Sequence, residues 1–185
     1  MCKFKFKILA TICVIVLLFS GCKQDKAFST SVTAMGTVIS FKLYGDNSEN
    51  VFNALMQEFD KIENACSLTK KGTAINLLNE TGKTDNPFII EQVEKITPLL
   101  KKSGGRFDYT VGTVTALWNI GFSDAKKPQQ KEINDALELV DGLKANVEDG
   151  VLTLSKGQKV DLGATAKGYA LDKAKEIFKH FFCIT

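Results

Sequence analysis

The segment KVDLGATAKGYALD, residues 159–172, carries the residue types best suited to holding an anionic ligand. A predicted apolar strand ends at Asp161, a glycine follows, and a strong helical pattern begins at once. The first N–H groups of such a helix lack partners, and with the helix dipole they attract phosphate. Lys167 adds a mobile positive charge, Asp161 can accept from a hydroxyl or amino group, and turn carbonyls can ligate a hard cation. An ordinary strand–turn–helix junction, with Asp161 capping the helix, is the alternative.

Two further segments could contribute to a binding site. GGRFDYTVGTVTALW, residues 104–118, contains Phe107, Tyr109 and Trp118, flat side chains of the kind that line ligand pockets. A core aromatic cluster beneath a loop is the alternative interpretation. In TAMGT, residues 33–37, Met35 could pack against a flat ring, although this short segment alone indicates little.

The elements that must position these residues indicate an α+β fold with a mixed or antiparallel sheet and flanking helices, because strands and helices do not alternate regularly. QKVDL, residues 158–162, reads as a strand. The polar stretch of residues 67–87 reads as a loop containing a short apolar turn at 75–78. The other predicted elements are a strand at 33–45, helices beginning at Ser48, Pro87 and Ala164, shorter helices at 111–117 and 128–140, and a hairpin at Asp149-Gly150.

The N-terminus has the order of a bacterial lipoprotein signal. Lysines in MCKFKFK precede the apolar run ILATICVIVLLF, which is too short to span a bilayer comfortably, and small residues precede Cys22. We therefore expect a signal peptide over residues 1–21, acylation of Cys22, a polar tether over residues 22–31 and a domain over residues 32–185. The domain would be anchored by its lipid on the extracytoplasmic side of the membrane, facing the periplasm from the inner or outer membrane. A cleaved signal with a coincidental cysteine, or an uncleaved anchor, is the alternative, and Phe19 stands where a leucine is usual.

Charge and cysteine content exclude several classes of protein. The formal net charge of +3 is accounted for by the three lysines of the N-terminal signal, so we expect no nucleic-acid partner. With one histidine, His180, the chain lacks a Cys/His metal cluster. Only Cys66 and Cys183 follow the lipidation site, which does not make a disulfide framework, and we expect both to be buried and unpaired.

Taken together and in this order, four segments closely resemble the ApbE family of FAD:protein FMN transferases: TAMGTVISFKLYG, INLLN, GGRFDYTVGTVTALW and VDLGATAKGYALD. The resemblance runs from about residue 33 to about residue 178. It implies an ApbE fold of the T-fold-like kind and a magnesium-dependent reaction. In that reaction FAD is cleaved, FMN is transferred to a threonine hydroxyl of an acceptor protein, and AMP is released. The acceptor would be a subunit of a membrane-bound redox complex.

The resemblance also implies site residues. The backbone carbonyl of Ala164 matches a Mg²⁺ position, and no catalytic residue is assigned. The residues that match FAD contacts of the family are Met35, Arg106, Phe107, Asp108, Asp161 and Lys167.

Two departures from the family affect these expectations. The loop around Thr69 has no aromatic side chain where relatives often place one against FAD, and family members are longer, with later segments that complete the metal site. We therefore expect that the reading frame is truncated or frameshifted, or that the chain is a fragment. Such a chain should bind FAD weakly or not at all and should transfer no FMN. A lipid-anchored protein that binds or hydrolyses FAD without an acceptor is one alternative. A tethered non-catalytic interaction domain, or a gene remnant, is another.

Overall fold

The computed structural model describes residues 27–182, which begin with a β-hairpin. Strands β1 (Ala27–Ala34) and β2 (Thr37–Tyr44) pair antiparallel, and the two residues Met35 and Gly36 form the turn between them. Both strands alternate between exposed and partly buried positions. The inward side chains reach helix α1, where the rings of Phe28 and Phe41 each lie 5.2 Å from the ring of Phe52.

The hairpin changes two expectations from the sequence. The predicted tether over residues 22–31 is too long, because residues 27–31 belong to β1 and pair with β2. Met35, expected within one strand over 33–45, lies in the hairpin turn. Residues 22–26 of the tether, the signal at 1–21 and the lipidation site Cys22 lie outside the described residues.

Three helices follow the hairpin: α1 (Ser48–Cys66), α2 (Ala74–Thr81) and α3 (Pro87–Ser103). Helix α2 falls where the sequence predicted a loop. The hydroxyl of Thr73 accepts from the N–H of Asn76 at its start, and Gly82 ends it with φ = 75°. Helix α3 begins at Pro87 as expected and continues past Pro98 to Ser103.

The rest of the chain contains three more helices and a small sheet. Helices α4 (Gly112–Trp118) and α5 (Gln130–Leu137) and a 3-10 turn (Gly142–Lys144) precede the predicted hairpin. Strands β3 (Lys83–Thr84), β4 (Asn146–Glu148) and β5 (Val151–Thr153) form an antiparallel sheet in the order β3-β5-β4. Helix α6 (Ala166–Phe182) closes the described residues. The α+β class with antiparallel sheets and flanking helices is confirmed.

The strand predicted for QKVDL is wrong. Within residues 158–162 the only sheet-like pairing is one isolated parallel bridge, between Val111 and Lys159. Instead, the side-chain amide of Asn79 takes the place of a neighbouring strand. Its Oδ1 accepts from the N–H of Val160 at 2.7 Å and its Nδ2 donates to the carbonyl of Val160 at 3.0 Å.

One hydrophobic core joins most of these elements. Helices α1 and α6 pack against each other, and α2, α3 and the small sheet add side chains to the same cluster. Tyr109 and Cys66 are also buried in it. The aliphatic and aromatic side chains at its centre are Leu43, Val51, Leu55, Phe59, Ile62, Ile75, Leu78, Ile89, Val93, Leu152, Val160, Leu162 and Tyr169.

A charged cluster fastens α3 to α6 outside the core. The carboxylate of Glu91 accepts from the hydroxyl of Tyr169 at 2.5 Å, and from the amino groups of Lys173 and Lys95 at 2.8 and 2.9 Å. Both lysines also lie over the Tyr169 ring, at 5.0 and 5.2 Å from its centroid. Burial alone would raise the pKa of Glu91, but these donors outweigh it and hold the pKa at about 2.

Within residues 27–182, none of the helices combines the length and apolar character needed to cross a membrane.

Candidate functional site

Two adjoining cavities lie on either side of Asp161. The larger, about 430 Å³, is lined by Trp118, Thr115 and Asn79 among others, and we call it the Trp118 cavity. The smaller, about 260 Å³, is lined by Met35, Cys66 and Lys167 among others, and we call it the Lys167 cavity. Leu68 and Asp161 line both, so these two side chains form the partition.

Met35 lines the Lys167 cavity from the hairpin turn, where its backbone adopts an unfavourable left-handed conformation. Its φ is +52° and that of Gly36 is +69°, the left-handed values that a two-residue hairpin turn requires. The turn between β4 and β5 has the same geometry with Asp149 and Gly150, residue types that suit it. A methionine at such a position is uncommon, because side chains other than those of Gly, Asn and Asp are disfavoured there. Met35 lines the cavity and also packs, partly buried, against the hydrophobic core.

The segment before helix α6 is held in place mainly by side chains. The side chain of Gln158 donates to the carbonyls of Leu139 and Asp141 at 3.2 and 2.7 Å, and it accepts from the N–H of Ser155. Asn79 holds Val160 as described above. The N–H of Asp161 then donates to the carbonyl of Tyr109 at 2.9 Å.

The Asp161 carboxylate is held at both oxygens. Its Oδ2 accepts from the hydroxyl of Thr115 at 2.9 Å, and its Oδ1 accepts from the N–H of Gly163 at 2.8 Å. A Cβ added at Gly163 would lie 3.0 Å from Oδ1, so glycine allows the carboxylate to fold back over the turn. Each carboxylate oxygen has a second lone pair, so the group can still accept a hydrogen bond from a ligand.

Lys167 and Ala164 lie at the start of helix α6. Lys167 is exposed and lines the cavity together with Gly163 and Ala166. Ala164 is exposed in the turn that precedes the helix.

The N–H groups of Thr165 and Ala166 already donate to the carbonyl of Leu162. The N–H groups one step further along, at Lys167 and Gly168, and the ammonium group of Lys167 are therefore the donors that suit a phosphate group.

The segment of residues 106–108, predicted to hold the nucleotide, lines neither cavity. Arg106 is exposed and donates to the carbonyl of Ser103 at 3.5 Å, and Phe107 packs partly buried against the core. The Asp108 carboxylate accepts from the N–H and hydroxyl of Thr110 at 2.7 and 2.6 Å, and from the N–H of Gly142 at 2.8 Å. These contacts give Asp108 a structural role in this conformation.

Of the aromatic side chains in residues 104–118, only Trp118 lines the Trp118 cavity or the Lys167 cavity. Tyr109 borders a separate cavity of about 450 Å³ beside the 3-10 turn. Tyr109 is 2% exposed, and its hydroxyl donates to the carbonyl of Gly142 at 2.6 Å. The core alternative therefore holds for Tyr109, and the pocket interpretation holds for Trp118. Thr69 lines the Lys167 cavity, at the position where the sequence lacks an aromatic residue.

Behind the Lys167 cavity lies a buried polar contact. The side-chain amide of Gln92, 1% exposed, donates to the sulfur of Cys66 at 3.0 Å and accepts from the hydroxyl of Thr165 at 3.4 Å. Burial raises the pKa of the Cys66 thiol to about 11, so the thiol is protonated near neutral pH. Cys66 is buried and unpaired as expected, and Cys183 lies outside the described residues.

Sequence reasoning assigned no role to Thr115 or Asn79, although they lie within two of the segments that resemble the family, GGRFDYTVGTVTALW and INLLN. Both are single polar residues on helical segments, and their partners lie 46 and 81 residues away in the chain. The spacing of residues along one element carries no signal for such long-range contacts.

Comparison with known proteins agrees with this architecture. Residues 35–182 match the model of the ApbE family. Among curated proteins, an FAD:protein FMN transferase of Treponema pallidum is 28% identical over 178 residues, covering 85% of this chain and 48% of its own length. One of Klebsiella pneumoniae is 24% identical over 165 residues, covering 84% and 51%.

Solved structures share the fold. The ApbE protein of Thermotoga maritima superposes with a TM-score of 0.78 at 23% identity, covering 85% of this chain and 54% of its own. The apo form of the flavinyl transferase ApbE of Pseudomonas stutzeri gives 0.76 at 19% identity, covering 86% and 54%. The chain therefore belongs to the ApbE family, and it spans about half the length of the curated relatives it matches.

Proposed function

We propose that this chain forms the FAD-binding part of an FAD:protein FMN transferase. The observation that carries the proposal is the convergence of Met35, Asp161 and Lys167 on one cavity, although Met35 lies far from the other two in the sequence. Curated relatives with this name match most of the chain, which supports the same assignment.

In the proposed reaction, the Oγ of an acceptor threonine attacks the FMN phosphorus of FAD. The bond from that phosphorus to the bridging oxygen of the pyrophosphate breaks, AMP leaves with that oxygen, and the threonine proton is lost to a base. The Lys167 ammonium group would attract the pyrophosphate, and the N–H groups of Lys167 and Gly168 in the first turn of α6 would donate to its oxygens. Asp161 would accept from a hydroxyl or amino group of the nucleotide, and Met35 would pack against it. Arg106, Phe107 and Asp108 remain proposed FAD contacts by family resemblance.

Magnesium dependence is part of the proposal, with the carbonyl of Ala164 as one ligand. Mg²⁺ requires about six oxygens in near-octahedral array. Among residues 27–182, no group of three or more His, Cys, Asp or Glu side chains could hold a metal ion. The described residues therefore do not form a magnesium site by themselves, and we derive no chemical step through the ion. The other positions would be filled by waters, phosphate oxygens or groups outside residues 27–182.

The acceptor and the location are proposed from the sequence. A threonine-bearing subunit of a membrane-bound redox complex would meet the domain at the membrane surface, where acylated Cys22 would tether it on the extracytoplasmic side. Labelling cells with a fatty-acid analogue tests the anchor. The intact chain should become labelled and a C22A variant should not.

The activity is tested with FAD, Mg²⁺ and a threonine-containing acceptor peptide. We expect the 185-residue chain alone to bind FAD weakly and to transfer no FMN, since residues 27–182 supply too few metal ligands. A chimera that adds the unmatched half of the T. pallidum relative should transfer FMN. The acceptor would gain FMN less one water, and AMP would appear in equal amount.

Two lysine substitutions in the chimera test whether the Lys167 cavity binds FAD. The chimera with Lys167→Gln should lose most of its FAD affinity. Lys175→Gln, an exposed lysine elsewhere on α6, should leave the affinity unchanged. AMP release without acceptor labelling would favour the FAD-hydrolysing alternative. A chimera that folds, by circular dichroism, and yet binds no FAD would contradict the proposal.

A further inference from the structure

The hydroxyl of Thr115 connects helix α4 to the partition between the two cavities. Thr115 is partly buried in the wall of the Trp118 cavity, and it donates to Oδ2 of Asp161 at 2.9 Å. Asp161 lines both cavities, so the orientation of its carboxylate decides which hydrogen-bonding atoms each cavity presents.

Helix α4 is fixed firmly enough to control this contact. A Cβ at Gly112 would lie 2.6 Å from the carbonyl oxygen of Lys159, so the helix begins in direct backbone contact with the segment that carries Asp161. The N–H of Thr115 donates to the carbonyl of Val111, which itself forms the bridge to Lys159. Thr115 therefore lies one turn from a rigid junction and has little freedom to move away from Asp161.

Both carboxylate oxygens of Asp161 accept a hydrogen bond, and together these two bonds fix the orientation of the carboxylate. Oδ1 accepts from the N–H of Gly163, on the side of the Lys167 cavity, while Oδ2 accepts from Thr115, on the side of the Trp118 cavity. With both donors in place the carboxylate plane cannot rotate without breaking a hydrogen bond. Without the Thr115 hydroxyl, the hydrogen bond from the N–H of Gly163 alone would restrain the carboxylate.

We propose that Thr115 is a positioning residue that sets the Asp161 carboxylate between the two cavities for ligand binding. The part of this inference that concerns FAD rests on the proposed function. The orientation of the carboxylate does not, and it can be measured without any ligand.

The first measurement follows the Gly163 amide by NMR in the ¹⁵N-labelled chain without ligand. Thr115→Val keeps the branched shape and removes the donor, so the Gly163 resonance should shift as Asp161 rotates. Thr115→Ser keeps a hydroxyl and should restore the wild-type position. Thr113→Val is the matched control on α4: its hydroxyl donates to the carbonyls of Thr110 and Ala136, away from Asp161. An unchanged Gly163 resonance in Thr115→Val overturns the proposal.

The second measurement is a double-mutant cycle on FAD affinity, read from amide shifts during titration. Thr115→Val should weaken FAD binding by roughly 3- to 10-fold, the loss of one hydrogen bond to a charged group. In an Asp161→Ala background the same change should have no further effect. An equal loss in both backgrounds would mean direct contact with the ligand and would contradict positioning. If the chain alone binds FAD too weakly to shift its resonances, the cycle is measured in the chimera. A folded chimera that FAD does not shift contradicts the proposed function, while the Gly163 result still decides the role of Thr115.

Discussion

Met35 carries the clearest functional signal of any single residue outside the α6 turn. It accepts a left-handed backbone conformation that the corresponding Asp149 adopts more readily, and its side chain lines the Lys167 cavity. Met35 also packs against the hydrophobic core, so its contribution to ligand binding has to be separated from its contribution to stability.

Met35→Ala isolates the contribution of this side chain, because alanine and methionine face the same backbone strain at φ = +52°. We expect FAD affinity to fall by about 3- to 10-fold with little change in secondary structure, as apolar contact area is lost. Met56→Ala on α1 is the control, since Met56 is equally half-buried and lines neither cavity. Equal FAD affinities of Met35→Ala and the wild type would remove Met35 from the site.

At the residue scale, sequence reasoning named three residues that the structure brings together at one cavity, and their contact with FAD stays a prediction. Asp161, Lys167 and Met35 converge as the family resemblance implied, because each belongs to a short motif of distinctive residues. Arg106 and Asp108 belong to an equally distinctive motif, yet their side chains bond within the chain. The residue types of a motif do not reveal whether a polar side chain faces a ligand or its own backbone.

At the scale of the elements, α4 makes a tight backbone contact with the segment that carries Asp161. A Cβ at Gly112 would lie 2.6 Å from the carbonyl oxygen of Lys159 and 2.7 Å from the carbonyl carbon of Val160. Gly112→Ala must therefore move backbone on both sides, and we expect a loss of about 2–3 kcal/mol in the free energy of unfolding. Urea denaturation measures it.

Gly168→Ala is the matched control for this loss. The site lies in helix α6, where an added Cβ meets no atom within 4 Å, so the change should stabilise the chain by about 0.5–1 kcal/mol. Similar effects of the two substitutions would contradict the contact at Gly112.

The Glu91 cluster predicts a pH dependence for the packing of α3 on α6. The pKa of Glu91 is about 2 in the folded chain against an ordinary value of 4.5, so its stabilising contribution is full above pH 4.5 and is lost as the pH falls towards 2. The Glu91 side chain is 38% exposed, and solvent screening limits the contribution to about 1 kcal/mol.

Glu91→Gln should therefore unfold at a lower temperature than the wild type at pH 7, and the two melting temperatures should converge as the pH is lowered from 4.5 to 2. Thermal melts followed by circular dichroism measure both. Glu94→Gln, on the exposed surface of the same helix, controls for the loss of a carboxylate. A constant difference between wild type and Glu91→Gln across this range would exclude the linkage.

Among the secondary-structure elements, the long helices and the Asp-Gly hairpin were predictable from the sequence. The short helix α2 and the pairing of residues 158–162 were not. Helix α2 has only eight residues, and the polar residues that surround it masked its signals, the Thr73 cap and Gly82. QKVDL has the alternation of a strand, but its partner is a side-chain amide on α2. The local sequence pattern indicates which secondary structure a segment can adopt, and contacts with residues far away in the chain determine which one it adopts.

For the whole molecule, the shared core predicts cooperative unfolding. The same buried cluster draws on β2, α1, α2, α3, β5 and α6, so no element can leave it without exposing apolar surface. Far-UV circular dichroism and the fluorescence of Trp118, the one tryptophan of the sequence, should report one coincident thermal transition. Two separated transitions would contradict the single core, and the absence of any transition would favour the gene-remnant alternative.

The pairing of Asn79 with Val160 has a consequence for how this binding site can change. In a β-sheet, register shifts in steps of whole residues, and a shift of one residue sends every side chain to the opposite face. The segment of residues 158–161 has one backbone bridge, to Val111, and its other contacts include the side chains of Asn79 and Thr115. Side-chain anchors of this kind impose no fixed step. Substituting one of them can move the cavity wall by a fraction of an ångström while both sheets keep their pairing. The fit of this wall to a ligand can thus change gradually, one contact at a time.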